Sequence, residues 1–298
     1  MLPTVPSTIR RRSLLAGLAA LPVAPALVRA EQAPVLYFSA IPDDDDTRLT
    51  ERFDRVAAYL SQTLGVEVRY VPVKSYAAAV TAFRNDQVQL AWFGGLSGVQ
   101  ARLLVPGSRA IAQGAEDAAF VTYFIANTAT GLTEGPDFPK AAEGLSFTFG
   151  AQTSTSGRLM PEFHIRQQTG RASEAFFSNV GFSGDHGQTL RLVASGAWQV
   201  GALNYSVYEQ AVTEGAPEIQ TARVIWKTPP YPDYNWTIRG DVEERWGAGF
   251  IDKVQAALTG MTDAELLASF PRTGFIPADN ALYAPIEETA RQLDLIGE

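Results

Sequence analysis

The sequence predicts an α/β protein made of two successive units, each a parallel sheet with helices on both faces. Three observations carry that expectation. Short apolar runs alternate with stretches of helical periodicity along the chain. The alternation stops in a polar segment containing glycine and proline at 127–139 and then restarts. Turns rich in glycine or hydroxyls follow the strands, where an open α/β sheet places its ligand.

In the first unit a strand is expected at 35–41, ended by Pro42. Leu49, Phe53, Val56, Leu60 and Leu64 then form a helical stripe behind four aspartates at 43–46. Those acids read as complements to the helix dipole or as a metal site. A strand at 66–71, a helix at 76–83, a strand at 88–93 ending in Gly94-Gly95 and a helix at 97–104 follow. The continuous apolar run 119–126 is a further strand. The second unit reads as strand 145–149, helix 156–168, strand 180–183, helix 186–195, strand 199–203 and helix 204–213. Strands at 224–226 and 234–238 flank the turn-rich stretch 227–233, and helices are expected at 243–258, 262–269 and 285–293.

Residues 1–30 read as a cleaved export leader. Arg10, Arg11 and Arg12 precede Ser13-Leu14-Leu15, an Ala/Leu/Val/Pro run and the small-residue end Val28-Arg29-Ala30. The paired arginines resemble a twin-arginine signal, although Sec leaders carry such pairs too. The leader holds four arginines and no acid, so the chain after Ala30 carries a net −12 against −8 for the whole. That sign argues against nucleic acid or an anionic membrane as partner. The chain has no cysteine, which excludes disulfides, thiolate zinc sites, a cysteine nucleophile and a lipoprotein anchor.

The chemistry concentrates in the stretch from Leu145 to Glu162. A strand runs through Gly150 into the hydroxyls of Thr153, Ser154, Thr155 and Ser156, then Gly157 and a helical pattern. One reading is an ordinary helix cap. The other is an oxyanion site, because free N–H groups and the positive end of the helix dipole meet there without a lysine or arginine. Catalytic constellations are missing: there is no His-Glu-x-x-His, no Gly-x-Ser-x-Gly, and Arg158 stands where a phosphate loop needs lysine. Of the two histidines, His164 reads as structural. His186 lies in Ser183-Gly184-Asp185-His186-Gly187, a strand-to-helix junction where it could donate to an oxyanion or where Asp185 merely caps the helix.

These residues resemble the periplasmic phosphonate/phosphite/phosphate-binding proteins of ABC importers. Ser154-Thr155-Ser156-Gly157 followed by Pro161 is similar to the family's anion-holding turn, Ser75-Tyr76-Ala77 to its loop tyrosine, and Ala91-Trp92-Phe93-Gly94 to its aromatic-aromatic-Gly turn. Gly184-Asp185-His186 matches its ligand histidine, and Asp233 lies where an acidic pocket residue is found. The likeness spans the chain beyond the leader. Within the family the chain is similar to a branch labelled selenate-binding, so an oxyanion of the phosphonate, phosphite or phosphate type is expected, with selenate or a related oxyanion as the alternative.

The resemblance implies a type II periplasmic solute-binding fold, two α/β lobes with a ligand cleft between them. Lobe one would comprise 31–126 plus 229–298 and lobe two 127–228, with strands at 120–126 and 224–227 as the hinge. It implies a periplasmic monomer without cofactor, metal or chemistry of its own, delivering a small oxyanion to an ABC permease and its ATPase. The ligand residues it implies are Tyr76, Phe93, Gly94, Ser154, Thr155, Ser156, His186, Tyr205, Tyr208 and Asp233. Asn204, Tyr205 and Tyr208 stand near the place of the carboxylate that holds an amine in aminoalkyl-phosphonate binders. The competing class is an exported phosphoesterase or transferase with the same anion loop, which would need a metal cluster or a nucleophile–base pair.

Overall fold

Eleven strands form two mixed sheets, in the computed structural model that describes residues 1–4, 34–43, 46–268 and 270–297. The expected leader at 1–30, apart from its first four residues, and the aspartates at 44–45 lie outside the described residues. The strands are β1 (Leu36–Ala40), β2 (Val68–Tyr70), β3 (Leu90–Phe93), β4 (Arg109–Gly114), β5 (Thr122–Asn127) and β6 (Ser146–Phe149). They continue as β7 (Asn179–Phe182), β8 (Val200–Asn204), β9 (Ala222–Lys227), β10 (Asn235–Ile238) and β11 (Phe275–Pro277). The first sheet has the order β11-β4-β10-β3-β1-β2 and the second β7-β6-β8-β5-β9.

The sheets are not wholly parallel, as the alternation had suggested. β1 runs parallel to β2 and β3, and β6 parallel to β7 and β8, each through a crossover. β10 lies antiparallel between β3 and β4, and β5 antiparallel between β8 and β9. β11 also lies antiparallel, to β4, whereas β5 and β10 are strands that arrive from the other sheet. A chain entering from the opposite side has no crossover helix to turn it round.

The helices are α1 (Asp46–Leu64), α2 (Tyr76–Arg84), α3 (Gly95–Leu104), α4 (Met160–Thr169), α5 (Ser173–Phe176) and α6 (His186–Ala194). They continue as α7 (Tyr205–Glu214), α8 (Glu243–Trp246), α9 (Phe250–Thr259), α10 (Ala264–Ala268) and α11 (Ala284–Gln292). The single helix expected at 243–258 is two, because Gly247 and Gly249 adopt φ of +88° and +80° and break it. None of the helices among the described residues is long and apolar enough to cross a membrane.

Aromatic rings fill both interiors. On the first sheet Trp92 and Trp236 lie 5.3 Å apart and meet Phe270 and Phe275. On the second, Phe124, Phe147 and Trp226 form a similar cluster. Burying each such ring contributes about 1.5–3 kcal/mol.

The chain passes between the sheets twice. The division differs from the one expected: β5, assigned to the end of lobe one, pairs inside the second sheet with β8 and β9. The first crossing is the 3-10 turn Ala115–Ala119 with Phe120, and the second the segment 228–234. Phe120 and Tyr231 exchange two main-chain hydrogen bonds of 2.9 Å, which ties the crossings together.

Candidate functional site

Between β6 and α4 the hydroxyl-rich turn folds back on itself. Gly150 N–H donates to the Gly157 carbonyl at 2.7 Å, and the Ser154 hydroxyl accepts from Gly157 N–H at 3.0 Å. A π-helical turn, Thr155–Leu159, then leads into α4. Glycine at 157 allows a close approach: a Cβ there would stand 3.1 Å from Gly150 Cα and 3.1 Å from the His186 ring, so these neighbours would have to shift. Ser154 is therefore a helix cap, as the plainer reading held. Ser156 is different: its hydroxyl is buried and makes no hydrogen bond at bonding geometry among the described residues, although it lies near enough to the Tyr231 hydroxyl to favour that group's charged form.

Other helix starts meet this turn. α2 begins at Ser75, whose hydroxyl caps Ala78 N–H at 3.1 Å and sets Tyr76 facing inward. α3 begins at Gly94, and Gly95 N–H donates to Asp233 Oδ1 at 2.8 Å. A Cβ on Gly94 would lie 3.2 Å from both Asp233 Oδ1 and Thr155 Oγ1. α6 begins with Asp185 capping Gln188 N–H at 2.6 Å and His186 fully buried. Leu96 N–H of α3 donates to Thr155 Oγ1 at 3.0 Å, joining the two sides. Convergent N-termini give the enclosed space a positive potential without a cationic side chain.

The two titratable groups are tuned in opposite directions. Burial pulls the His186 imidazole down to about 3, so the ring is neutral. Its Nδ1 accepts from Asn204 N–H at 3.3 Å. That bond assigns the proton to Nε2, 3.4 Å from the Tyr76 hydroxyl, and makes the ring a donor into the site. Burial pushes the Asp233 carboxyl up to about 7, against the Thr155 hydroxyl and Gly95 N–H, which favour its charge. Asp233 Oδ2 is buried and makes no hydrogen bond at bonding geometry among the described residues. Burial also raises the Tyr76, Tyr231 and Tyr234 hydroxyls well above their ordinary range.

Tyr76, Gly94, Ser154, Thr155, Ser156, His186 and Asp233 thus come together. Phe93 belongs to the core beside them, its ring edge-on to Phe83 at 5.7 Å, and only its main chain leads into the site. Tyr205 and Tyr208 go elsewhere. Tyr205 packs on Phe120 with ring centres 4.8 Å apart, and the Tyr208 hydroxyl donates to the Ala222 carbonyl at 3.1 Å. Spaced three apart on α7, they share one helix face over the second sheet, and Tyr205 also packs against the core of the first.

Sequence reasoning missed Tyr231, Tyr234 and Thr122. Thr122 Oγ1 donates to the Ser156 carbonyl at 3.0 Å and meets the Tyr231 hydroxyl at 2.5 Å, bracing the hydroxyl-rich turn from behind. Tyrosines bracketing Pro232-Asp233 in a turn-rich stretch were the available signal. Arg158 stays out of the site, paired with buried Glu162 at 3.0 Å and lying 4.3 Å over the Phe149 ring. No cluster of three metal-ligating side chains occurs among the described residues. A cleft of about 450 Å³ leads to Tyr76 and Gly150 between Pro42, Lys74 and Ser75 on one side and Gln152, Thr153 and Asp185 on the other.

Residues 38–283 match the family described as ABC transporter, phosphonate, periplasmic substrate-binding protein. The chain is 40% identical over 269 residues to a protein of Prochlorococcus marinus (strain MIT 9301) named probable ABC transporter phosphite binding protein PhnD1, covering 88% of this chain and 91% of that one. The structure of PhnD1 in complex with methylphosphonate superposes with a TM-score of 0.83, covering 88% of this chain and 99% of that one. A binding protein component of an ABC phosphonate transporter from Pseudomonas aeruginosa, 21% identical, shares the fold with a TM-score of 0.75 over 86% of this chain and 85% of that one. The chain belongs to the phosphonate-type periplasmic substrate-binding protein family of ABC transporters, with its two-lobed α/β fold.

Proposed function

We propose that this protein is the periplasmic binding component of an ABC importer and captures a small phosphorus oxyanion such as phosphite or methylphosphonate. The observation that carries the reading is the pairing of opposite needs in one enclosed space. The Ser156 hydroxyl, the His186 Nε2–H and the turn's N–H groups offer donors, while Asp233 Oδ2 offers an uncommitted acceptor. A singly protonated oxyanion answers both: its oxygens accept from the donors and its own hydroxyl donates to Asp233. A fully ionised dianion would instead need Asp233 to be protonated, and above about pH 7 it would face a buried carboxylate at a loss of a few kcal/mol. Relatives named for phosphite and phosphonate binding support the same choice.

Ser154 still holds a hydroxyl proton after accepting from Gly157 and can turn it to the anion, whereas Thr155, accepting from Leu96 N–H, directs its own proton at Asp233 and offers the anion its main-chain N–H. The ligand set proposed is Tyr76, Ser154, Thr155, Ser156, His186 and Asp233. Lobe one, with the first sheet, and lobe two, with the second, would close over it about the paired crossings at Phe120 and Tyr231. The working protein would be a monomer freed of its leader near Ala30, passing the anion to a permease and its ATPase without chemistry of its own. Calorimetry with phosphite, phosphate, methylphosphonate, sulfate, selenate and 2-aminoethylphosphonate tests it. Heat of binding with phosphite or methylphosphonate is expected. Tight selenate binding with the phosphorus anions silent would overturn the reading, as would hydrolysis of simple phosphate esters.

A further inference from the structure

Asn204 closes β8 and caps α7, and each of its polar groups has a separate task. Its Oδ1 accepts from Ser206 N–H at 2.7 Å and from the Ser206 hydroxyl at 2.8 Å. Its main-chain N–H fixes the His186 tautomer. Its Nδ2 donates to the Tyr234 hydroxyl at 3.0 Å, from the second sheet's side of the cleft to the first's. Tyr234 is held rigidly to receive it. The ring stacks on Trp92 at 5.5 Å with 25° between planes, the Arg272 guanidinium lies 5.4 Å over it, and its carbonyl accepts from the Tyr283 hydroxyl at 3.3 Å.

We infer that Asn204 and Tyr234 form a latch that holds the cleft shut independently of the anion and couples closure to the presentation of the His186 donor. Both partners belong to the protein and both are neutral, so their bond forms whether or not an oxyanion is present. A protein that makes part of its closing contact alone visits the closed state unliganded, and the anion then deepens that population. Because Asn204 also orients the imidazole through its main chain, anchoring its side chain on Tyr234 steadies the ring facing the ligand. Asn204 and Tyr234 are positioning residues in this scheme, which rests on the binding function proposed above.

The test compares wild type with Tyr234→Phe, Asn204→Ala and the double variant. Tyr234→Phe keeps the stacked ring and loses only the acceptor. Stopped-flow dissociation of phosphite is expected to quicken about fivefold to tenfold in each single variant, with association changed by less than about twofold. The double variant should dissociate no faster than Asn204→Ala alone. Additive effects, or a lower melting temperature with dissociation unchanged, would overturn the latch. Small-angle scattering without ligand gives an independent reading: Tyr234→Phe should have a larger radius of gyration than wild type, and equal radii count against the proposal. A wild type that binds neither phosphite nor methylphosphonate removes the proposed function, and the latch is then judged on the ligand-free scattering alone.

Discussion

Thr155 and Leu96 meet across the cleft: the main-chain N–H that opens α3 donates to the threonine hydroxyl at 3.0 Å. One side chain of the anion turn thus also serves as a strut between the sheets, whereas its neighbour Ser156 holds no such bond. The two residues separate ligand binding from stability.

Ser156→Ala is expected to leave the melting temperature of the ligand-free protein nearly unchanged, since its hydroxyl has no protein partner at bonding geometry and only lies near Tyr231. Its affinity for phosphite should fall about tenfold, the worth of one hydrogen bond to a charged group. Calorimetry and thermal melts on the same preparation read both quantities. Unaltered affinity would take the Ser156 hydroxyl out of the ligand set.

Asp233 makes stability depend on pH in a definite direction. Folding raises its proton affinity from 3.8 to about 7, so between those values the native chain holds a proton that the unfolded chain has released. Its contribution is therefore full in acid and lost as pH rises through about 7. His186 acts oppositely: folding lowers it from 6.5 to about 3, and its contribution is lost as pH falls below the upper value. The difference between wild type and Asp233→Asn isolates the carboxyl. Melts from about pH 4 to about pH 8 should show the asparagine variant gaining on wild type as pH rises. Parallel profiles would contradict the assignment.

His164 is buried in α4 with its ring 5.4 Å edge-on from Trp226. Neither ring nitrogen makes a hydrogen bond at bonding geometry, though Gln167 lies near enough to favour the charged form slightly. Burial lowers its proton affinity, so wild type loses stability in acid at this position too. His164→Leu is expected to raise stability by about 1 kcal/mol at neutral pH, and by more in acid. Urea unfolding at two pH values reads it, and a loss at both would mean the imidazole has a partner in solution.

Tyr208→Phe should leave anion affinity unchanged and lower stability by about 1 kcal/mol, because its hydroxyl serves the Ala222 carbonyl. Weakened binding with stability intact would return Tyr208 to the ligand set.

Local chemistry was legible in the sequence where a few adjacent residues decide it. Ser154 and Asp185 announce helix starts by their capping side chains, and both caps form. Two strands escaped notice: β4 is rich in alanine and ends in glycine, and β11 is three residues with a proline. The continuous apolar run of β5 was visible as a strand, but such a run carries no mark of which sheet it joins. Tyr205 and Tyr208 were assigned by nearness to a family position, although their spacing on α7 already pointed them to the core. The bonds from Asn204 to Tyr234 and from Thr122 to the anion turn link residues 30 or more positions apart, beyond the reach of any local pattern.

The convergence of helix starts without a fixed cation bears on how such a site lets go. A buried ion held by lysine or arginine would still feel that charge after the walls parted, and salt would have to compete for it. Dipoles act only within a turn of the helix end and only while water is kept out. When the walls separate, solvent replaces every donor at once and no cation among the proposed ligand residues remains to detain the ion. Opening and unloading become a single event, and retention should be nearly indifferent to ionic strength.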